Sequence, residues 1–230
     1  MQILLGNHSS PEFHHLAGMF PERVGWLLGP ASLKACKIRP WLEPVCFDND
    51  CFPAWQNNTQ WSEEAWLEMI QTIKERQIKV KWILCPDSPA DFHGTLTKFF
   101  EYRMYISRLE HPVCFAVQDG MTPKQFKSIP YTIDYLFIGG TDRFKWSTLP
   151  GWCEFFGPEK IHVGRVNSLD KLIICDRLNV SSVDGTYWFR FKKDWHEILR
   201  YFFEGYSKHK LQTEMEFINA TITEGKNSDD

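Results

Sequence analysis

The chain has 230 residues, 43% of them hydrophobic and 15% aromatic, with 10 tryptophans, which suffices for a sizeable core and excludes a disordered chain. A formal net charge of −3 carries no basic signature, so charge neither indicates nor excludes a nucleic-acid partner. No run nears the roughly 18 apolar residues of a membrane span, and MQILLGNHSS lacks the basic start and apolar length of a signal peptide, so a cytoplasmic protein without a membrane partner is expected.

Eight short apolar runs read as strands. They are QILLG (2–6), VGWLL (24–28), PVCFD (44–48), KVKWILC (79–85), VCFAVQ (113–118), DYLFIG (134–139), KIHVG (160–164) and VSSVD (180–184). Several are continuously apolar, as strands covered on both faces should be. Between them lie helical patterns. SEEAWLEMIQTIKER opens on Ser62 as an N-cap with acids in its first turn. ADFHGTLTKFFEYRMYISRL carries Leu96, Phe99, Phe100, Met104 and Leu109 at roughly helical spacing. NSLDKLIICDRL and KDWHEILRYFFEGY are amphipathic, and TPKQFKSIP fits one short turn of helix. The first two connections carry the weakest helical signal.

Strands alternating with helices imply parallel βα units, and eight of them in this length suggest a compact (β/α)₈ TIM barrel, class α/β. An open doubly wound sheet is the alternative, but no G-x-G-x-x-G follows a strand. One domain over 1–210 is expected. Residues 211–230 read as a poorly ordered acidic tail, with five acids against one lysine, and outside it the chain is close to neutral. The seven cysteines form no C-x-x-C pair, which fits reduced core thiols.

The strand ends hold the chemistry. In order they offer Asn7 and His8, Gly29, Asp48, Asp87, Gln118, Gly139 with Gly140, Gly164 with Arg165, and Asp184. In a parallel barrel these positions converge on the C-terminal rim, where barrel enzymes build their sites. A single terminal Asp can be a helix cap or turn former. Three aspartates, a glutamine and three glycine-bearing ends on one rim are harder to explain as caps. Two carboxylates facing a sugar carbon suit glycosidic bond exchange, one attacking the anomeric carbon and the other handling the leaving group's proton. A third carboxylate with an amide and backbone N–H groups suits a guanine edge, which offers N–H donors at N1 and N2 and an acceptor at O6. Glycines at the sixth strand end let a flat base approach the backbone.

Six segments in this order carry a resemblance: FDNDCF (47–52), CPDSPAD (85–91), FAVQDGM (115–121), LFIGGTD (136–142), HVGRVNS (162–168) and SVDGT (182–186). Together they resemble the queuine/guanine transglycosylase superfamily, and within it the short phage and bacterial branch that acts on DNA guanine. The resemblance spans about residues 45–190. It implies a TIM barrel that exchanges guanine in DNA for a 7-deazaguanine base, with no cofactor. It implies Asp184 as the covalent nucleophile and Asp48 as the acid/base carboxylate. Asp87 would accept from the guanine edge, Gln118 with Gly139 or Gly140 would bind O6, and Gly164 would line the pocket wall. Arg165 and Asn167 would hold a phosphate or the pocket. The tRNA-acting relatives carry a zinc site beyond the barrel and a glycine pair after their first aspartate. This sequence lacks that zinc pattern and has Asp50 and Cys51 at the second position. DNA is therefore expected over tRNA, with helper proteins for the duplex possible, and Asp50 stands beside Asp48 as an alternative acid. If the gene is phage-borne, the compartment is the host cytoplasm.

Other readings stay beside this one. Base exchange or N-glycoside hydrolysis on tRNA or nucleosides uses the same groups, and a barrel that binds guanine without turnover is a third reading. His8, His14 and His15 with the aspartates could imitate a metal-dependent hydrolase, but no H-x-H or H-E-x-x-H occurs, and no metal site is expected. YWFRFKKDWHEILRYFF (187–203) mixes basic and aromatic groups, with Lys192 and Lys193 as phosphate contacts or as part of a barrel-covering helix. DRFKW (142–146) adds Arg143 and Lys145 as nucleic-acid contacts on the same rim.

Overall fold

The computed structural model describes residues 1–6, 11–35 and 43–185. Eight parallel strands close into a barrel in sequence order, and the last pairs with the first. They are β1 (Gln2–Leu5), β2 (Val24–Leu28), β3 (Val45–Phe47), β4 (Val80–Leu84), β5 (Val113–Val117), β6 (Tyr135–Ile138), β7 (Ile161–Val163) and β8 (Ser182–Asp184). Every expected strand is present, trimmed by at most two residues at either end. The helices between them are α1 (Pro11–Met19), α2 (Pro30–Ala35), α3 (Cys51–Gln56), α4 (Glu63–Glu75), α5 (Phe92–Ser107), α6 (Pro123–Phe126), α7 (Asp142–Phe156) and α8 (Leu169–Arg177). The architecture is a compact α/β (β/α)₈ barrel.

Local chemistry places these elements. Ser62 caps α4 by accepting from the Ala65 N–H, and Asp91 caps α5 by accepting from the Gly94 N–H. Thr122 and Gln125 form a reciprocal capping box at α6. The sequence pattern passed over α7, whose interior holds Pro150 and Gly151. Thr141 starts it by accepting from the Phe144 N–H, and Leu149 and Trp152 bury its inner face. Tertiary burial there outweighs the helix-breaking residues. Asp91→Ala should lower stability by about 1 kcal/mol, read as a lower urea midpoint with an unchanged slope.

The barrel interior follows the two-residue alternation of strands. Leu4, Leu27, Cys46, Trp82, Leu84, Cys114 and Ala116 form one buried cluster, with Tyr135 and Phe137 packed against it. Gly25 lies beside Leu4 in the ladder, and a Cβ there would come within 2.8 Å of the Leu4 side chain. The intervening residues, such as Ile3, Val45, Phe47, Ile83, Phe115, Val117, Leu136 and Ile138, are buried beneath the helical layer. The two layers together make a continuous apolar wall under the rim. The six described cysteines are all buried free thiols.

Among the described residues, no helix is long and apolar enough to cross a membrane. Asn7, His8, the helix expected after Asp184, Lys192, Lys193 and the boundary near residue 210 lie outside the described residues.

Candidate active site at the C-terminal rim

Two residues beyond the inward cluster, the same strand faces deliver the polar rim. Asp48 follows Cys46, Gln118 follows Ala116, Gly139 follows Phe137, Gly164 follows His162 and Asp184 follows Ser182. The barrel thus brings Asp48, Asp87, Gln118, Gly139, Gly164 and Asp184 to one end.

Asp184 ends β8 and is held from both sides. Its Oδ1 accepts from the Arg165 backbone N–H at 3.0 Å, and its Oδ2 lies 2.9 Å from His162 Nε2. Arg165 reaches this position with φ +57°, a left-handed conformation that costs a non-glycine residue energy. The Val166 N–H bonds the Asp184 carbonyl, so the loop after β7 wraps around the carboxylate's own backbone. Gly164 leaves the space beside it, since a Cβ there would sit 2.6 Å from the Phe137 ring and 3.6 Å from Asp184 Oδ2.

Asp48 and Asp50 differ sharply. Asp48 directly follows β3, and its Oδ1 accepts from the Asn49 N–H at 2.6 Å. Burial first, and then the charges of Asp50, Asp184 and Asp87, raise its carboxyl pKa to about 7 against the opposing Asn49 N–H. Asp50 has φ +57° and turns its side chain away, toward Gly29 and the Ala31 N–H at the start of α2. Gly29 is thereby explained as the surface on which Asp50 lies. Asp48 belongs to the rim centre and Asp50 to its wall.

Each oxygen of Asp87 accepts one side-chain bond and keeps a second lone pair. Its Oδ1 accepts from Asn49 Nδ2 at 2.9 Å and its Oδ2 from Gln118 Nε2 at 2.6 Å. Burial raises its pKa, opposed by these amides and by Lys98. Gln118 Oε1 accepts from the Ala90 N–H, so the orientation of this amide is fixed and one Nε2 hydrogen remains uncommitted by these bonds. A Cβ at Gly139 would come within 2.9 Å of Gln118 Nε2, and Gly140 adopts φ +75°. The Asp119 carboxylate accepts from the Thr141 N–H and hydroxyl at 2.7 and 2.6 Å, which ties the loops after β5 and β6 together.

Asn49, which sequence reading passed over, is the hub. It is 1% exposed. Besides Asp87, its Nδ2 donates to the Cys85 carbonyl, its Oδ1 accepts from the Cys51 N–H and its carbonyl accepts from Trp61 Nε1. Asn49→Ala strands several of these buried partners and should cost on the order of 1–3 kcal/mol. Urea unfolding measures that loss, and Asn49→Asp should not restore it, because it adds a charge beside Asp87.

The basic residues divide. Arg143 is exposed on α7, and Asn167 is exposed on the loop after β7. The Arg165 guanidinium stacks over the Phe52 ring at 4.4 Å and donates to the Gly140 carbonyl. Lys145 corrects the expectation of a nucleic-acid contact. It is 0% exposed, and its Nζ donates to the Gly164 carbonyl at 2.7 Å with Asp142 at 3.3 Å. On α7 it faces the barrel, three residues from Asp142, so its ammonium braces the β7 end and does not meet solvent.

Among the described residues, no group of His, Cys, Asp and Glu is arranged to hold a metal ion. The molecule is a parallel β/α barrel whose rim gathers three carboxylates. No protein-family model matches the chain, and no curated protein matches it.

Proposed function

We propose that this barrel is a DNA-guanine transglycosylase that exchanges guanine for a 7-deazaguanine base. The supporting observation is the pairing of Asp184, held open to the rim by two N–H contacts, with Asp48, whose carboxyl titrates at about 7. Two carboxylates with divided environments are the apparatus of a double displacement on a sugar carbon.

In the first half, an Asp184 oxygen attacks the deoxyribose C1′ and the bond from C1′ to the guanine ring nitrogen breaks. Asp48 delivers the proton that the departing base needs. In the second half, the ring nitrogen of the incoming base attacks C1′ as its proton passes to Asp48. The C1′–oxygen bond breaks and its electron pair returns to Asp184. The exchange conserves one glycosidic bond and requires no energy source.

Asp87 is the acceptor for the purine N1 and N2 donors. Gln118 and the Gly139–Gly140 backbone face O6, and Gly164 clears the wall beside the nucleophile. The target base must leave the stack to reach these groups. The choice of DNA over tRNA rests on the sequence resemblance. Exposed Arg143 is a phosphate contact in this reading.

Incubation with labelled guanine and either DNA or tRNA tests the assignment. Label should enter DNA and not tRNA. Label in tRNA alone would replace the substrate, and label in neither, with folded protein, would remove the exchange reaction.

A further inference from the structure

His162 lies directly under Asp184 and is not used by the reaction above. It sits on β7, 0% exposed, with its ring between Trp82 at 5.1 Å and Phe137 at 4.8 Å. In the parallel ladder His162 is the register partner of Ser182, which stands two residues before Asp184 on the same inward face of β8. The imidazole therefore spans two successive inward positions of the neighbouring strand. Its Nδ1 lies 2.9 Å from Ser182 Oγ and its Nε2 lies 2.9 Å from Asp184 Oδ2.

Hydrogen-bond logic fixes the tautomer. An ionised carboxylate only accepts, so Nε2 carries the hydrogen and donates to Asp184. Nδ1 is then the acceptor and takes the Ser182 hydroxyl hydrogen. Burial lowers the imidazole pKa, against the pull of Asp184 and with the help of Lys81 and Lys145, so the ring stays neutral. The result is a one-way chain, Ser182 O–H to His162 to Asp184, enclosed by two aromatic rings.

We propose that His162, oriented by Ser182, is a positioning residue for Asp184. Its Nε2–H fixes the plane of the carboxylate and stabilises the negative charge that returns to Asp184 when the C1′–oxygen bond breaks. The hydrogen bond strengthens as charge develops, so its largest effect falls on the second half-reaction, where Asp184 is the leaving group. The kinetic part rests on the proposed transglycosylase reaction, whereas the pairing itself does not.

Two measurements on the full chain separate these parts. The first is a nitrogen NMR spectrum of protein labelled at histidine, with the His162 signals identified by their loss in His162→Phe. A neutral ring protonated at Nε2, shifting on Asp184→Asn, is expected; a ring protonated at Nδ1, or an imidazolium, overturns the proposal. The second follows the covalent adduct with guanine-containing DNA and then its release by 7-deazaguanine. His162→Phe should still form adduct but release it at least about 10-fold more slowly, and His162→Gln, whose amide can donate, should recover most of that loss. Equal release by folded His162→Phe and wild-type protein overturns the proposal. Should wild-type protein form no adduct, the transglycosylase reading falls, and the NMR tautomer still decides the pairing. If His162→Phe does not fold, the signals are assigned with His162→Gln.

Discussion

An Asp184→Asn protein should fold and form no covalent adduct, with base exchange reduced by at least about 10⁴-fold. The substitution keeps an oxygen for the Arg165 N–H and changes the volume little, so the loop after β7 can stay wrapped around the end of β8. What it removes is the proposed nucleophile. An amide oxygen does not attack C1′ to leave a stable ester, and the reaction has no other carboxylate held at this point of the rim. A carboxylate serving only as a turn former would behave in the opposite way. Its loss would cost about 1 kcal/mol of stability and leave exchange intact. Parallel measurement of unfolding by urea and of label exchange therefore distinguishes a chemical role from a structural one.

Asp48→Asn should lower exchange by about 10²–10⁴-fold and abolish its pH dependence near neutrality. In the proposed reaction the first half needs Asp48 protonated, so with its pKa at about 7 kcat/KM should fall as pH rises through that value. The same shift predicts a stability effect. The pKa in the folded chain is raised above the unfolded value of about 3.9, so between these limits the folded state holds a proton that the unfolded state has lost. The stabilising contribution is fully present below about pH 4 and is lost as pH rises through about 7. Asp48→Asn lacks this dependence, so its stability relative to wild type should improve between pH 5 and pH 8. Urea midpoints at those two pH values check the sign. Asp50→Asn should keep a profile governed by Asp48 but move it to lower pH, because the Asp50 side chain faces Gly29 and the Ala31 N–H while its charge helps to raise the Asp48 pKa.

The barrel was legible because its strands are short apolar runs buried on both faces, each followed by a polar or glycine-bearing turn. Runs such as VCFAV and VGWLL are buried at every position, and no alternation was needed to find them. The rim was legible for the same reason, since strand ends in a parallel barrel must converge. Local pattern failed where tertiary context decides. Pro150 and Gly151 hid α7, although burial of Leu149 and Trp152 sustains it. Lys145 reads as a rim cation in sequence, yet its helix turns it inward to the Gly164 carbonyl. Asp48 and Asp50 are equivalent as letters, and only the left-handed turn at Asp50 sends one toward the rim centre and the other against Gly29. His162 was missed because a buried polar side chain inside an apolar run looks like packing, and Asn49 because it stands between two aspartates that draw the chemical reading. For His162 a signal did exist: IHVG and SSVDG, aligned as neighbouring parallel strands, set His162 beside Ser182 and two residues below Asp184.

Trapping the intermediate is the measurement to make first. Full-length protein is mixed with a guanine-containing DNA oligonucleotide, with and without a 7-deazaguanine base, then denatured and digested for mass spectrometry. A deoxyribose-linked adduct on the peptide containing Asp184, absent from Asp184→Asn and discharged by the added base, is the predicted result. A folded protein that forms no adduct, or forms one at any other residue, would contradict Asp184 as the nucleophile of base exchange.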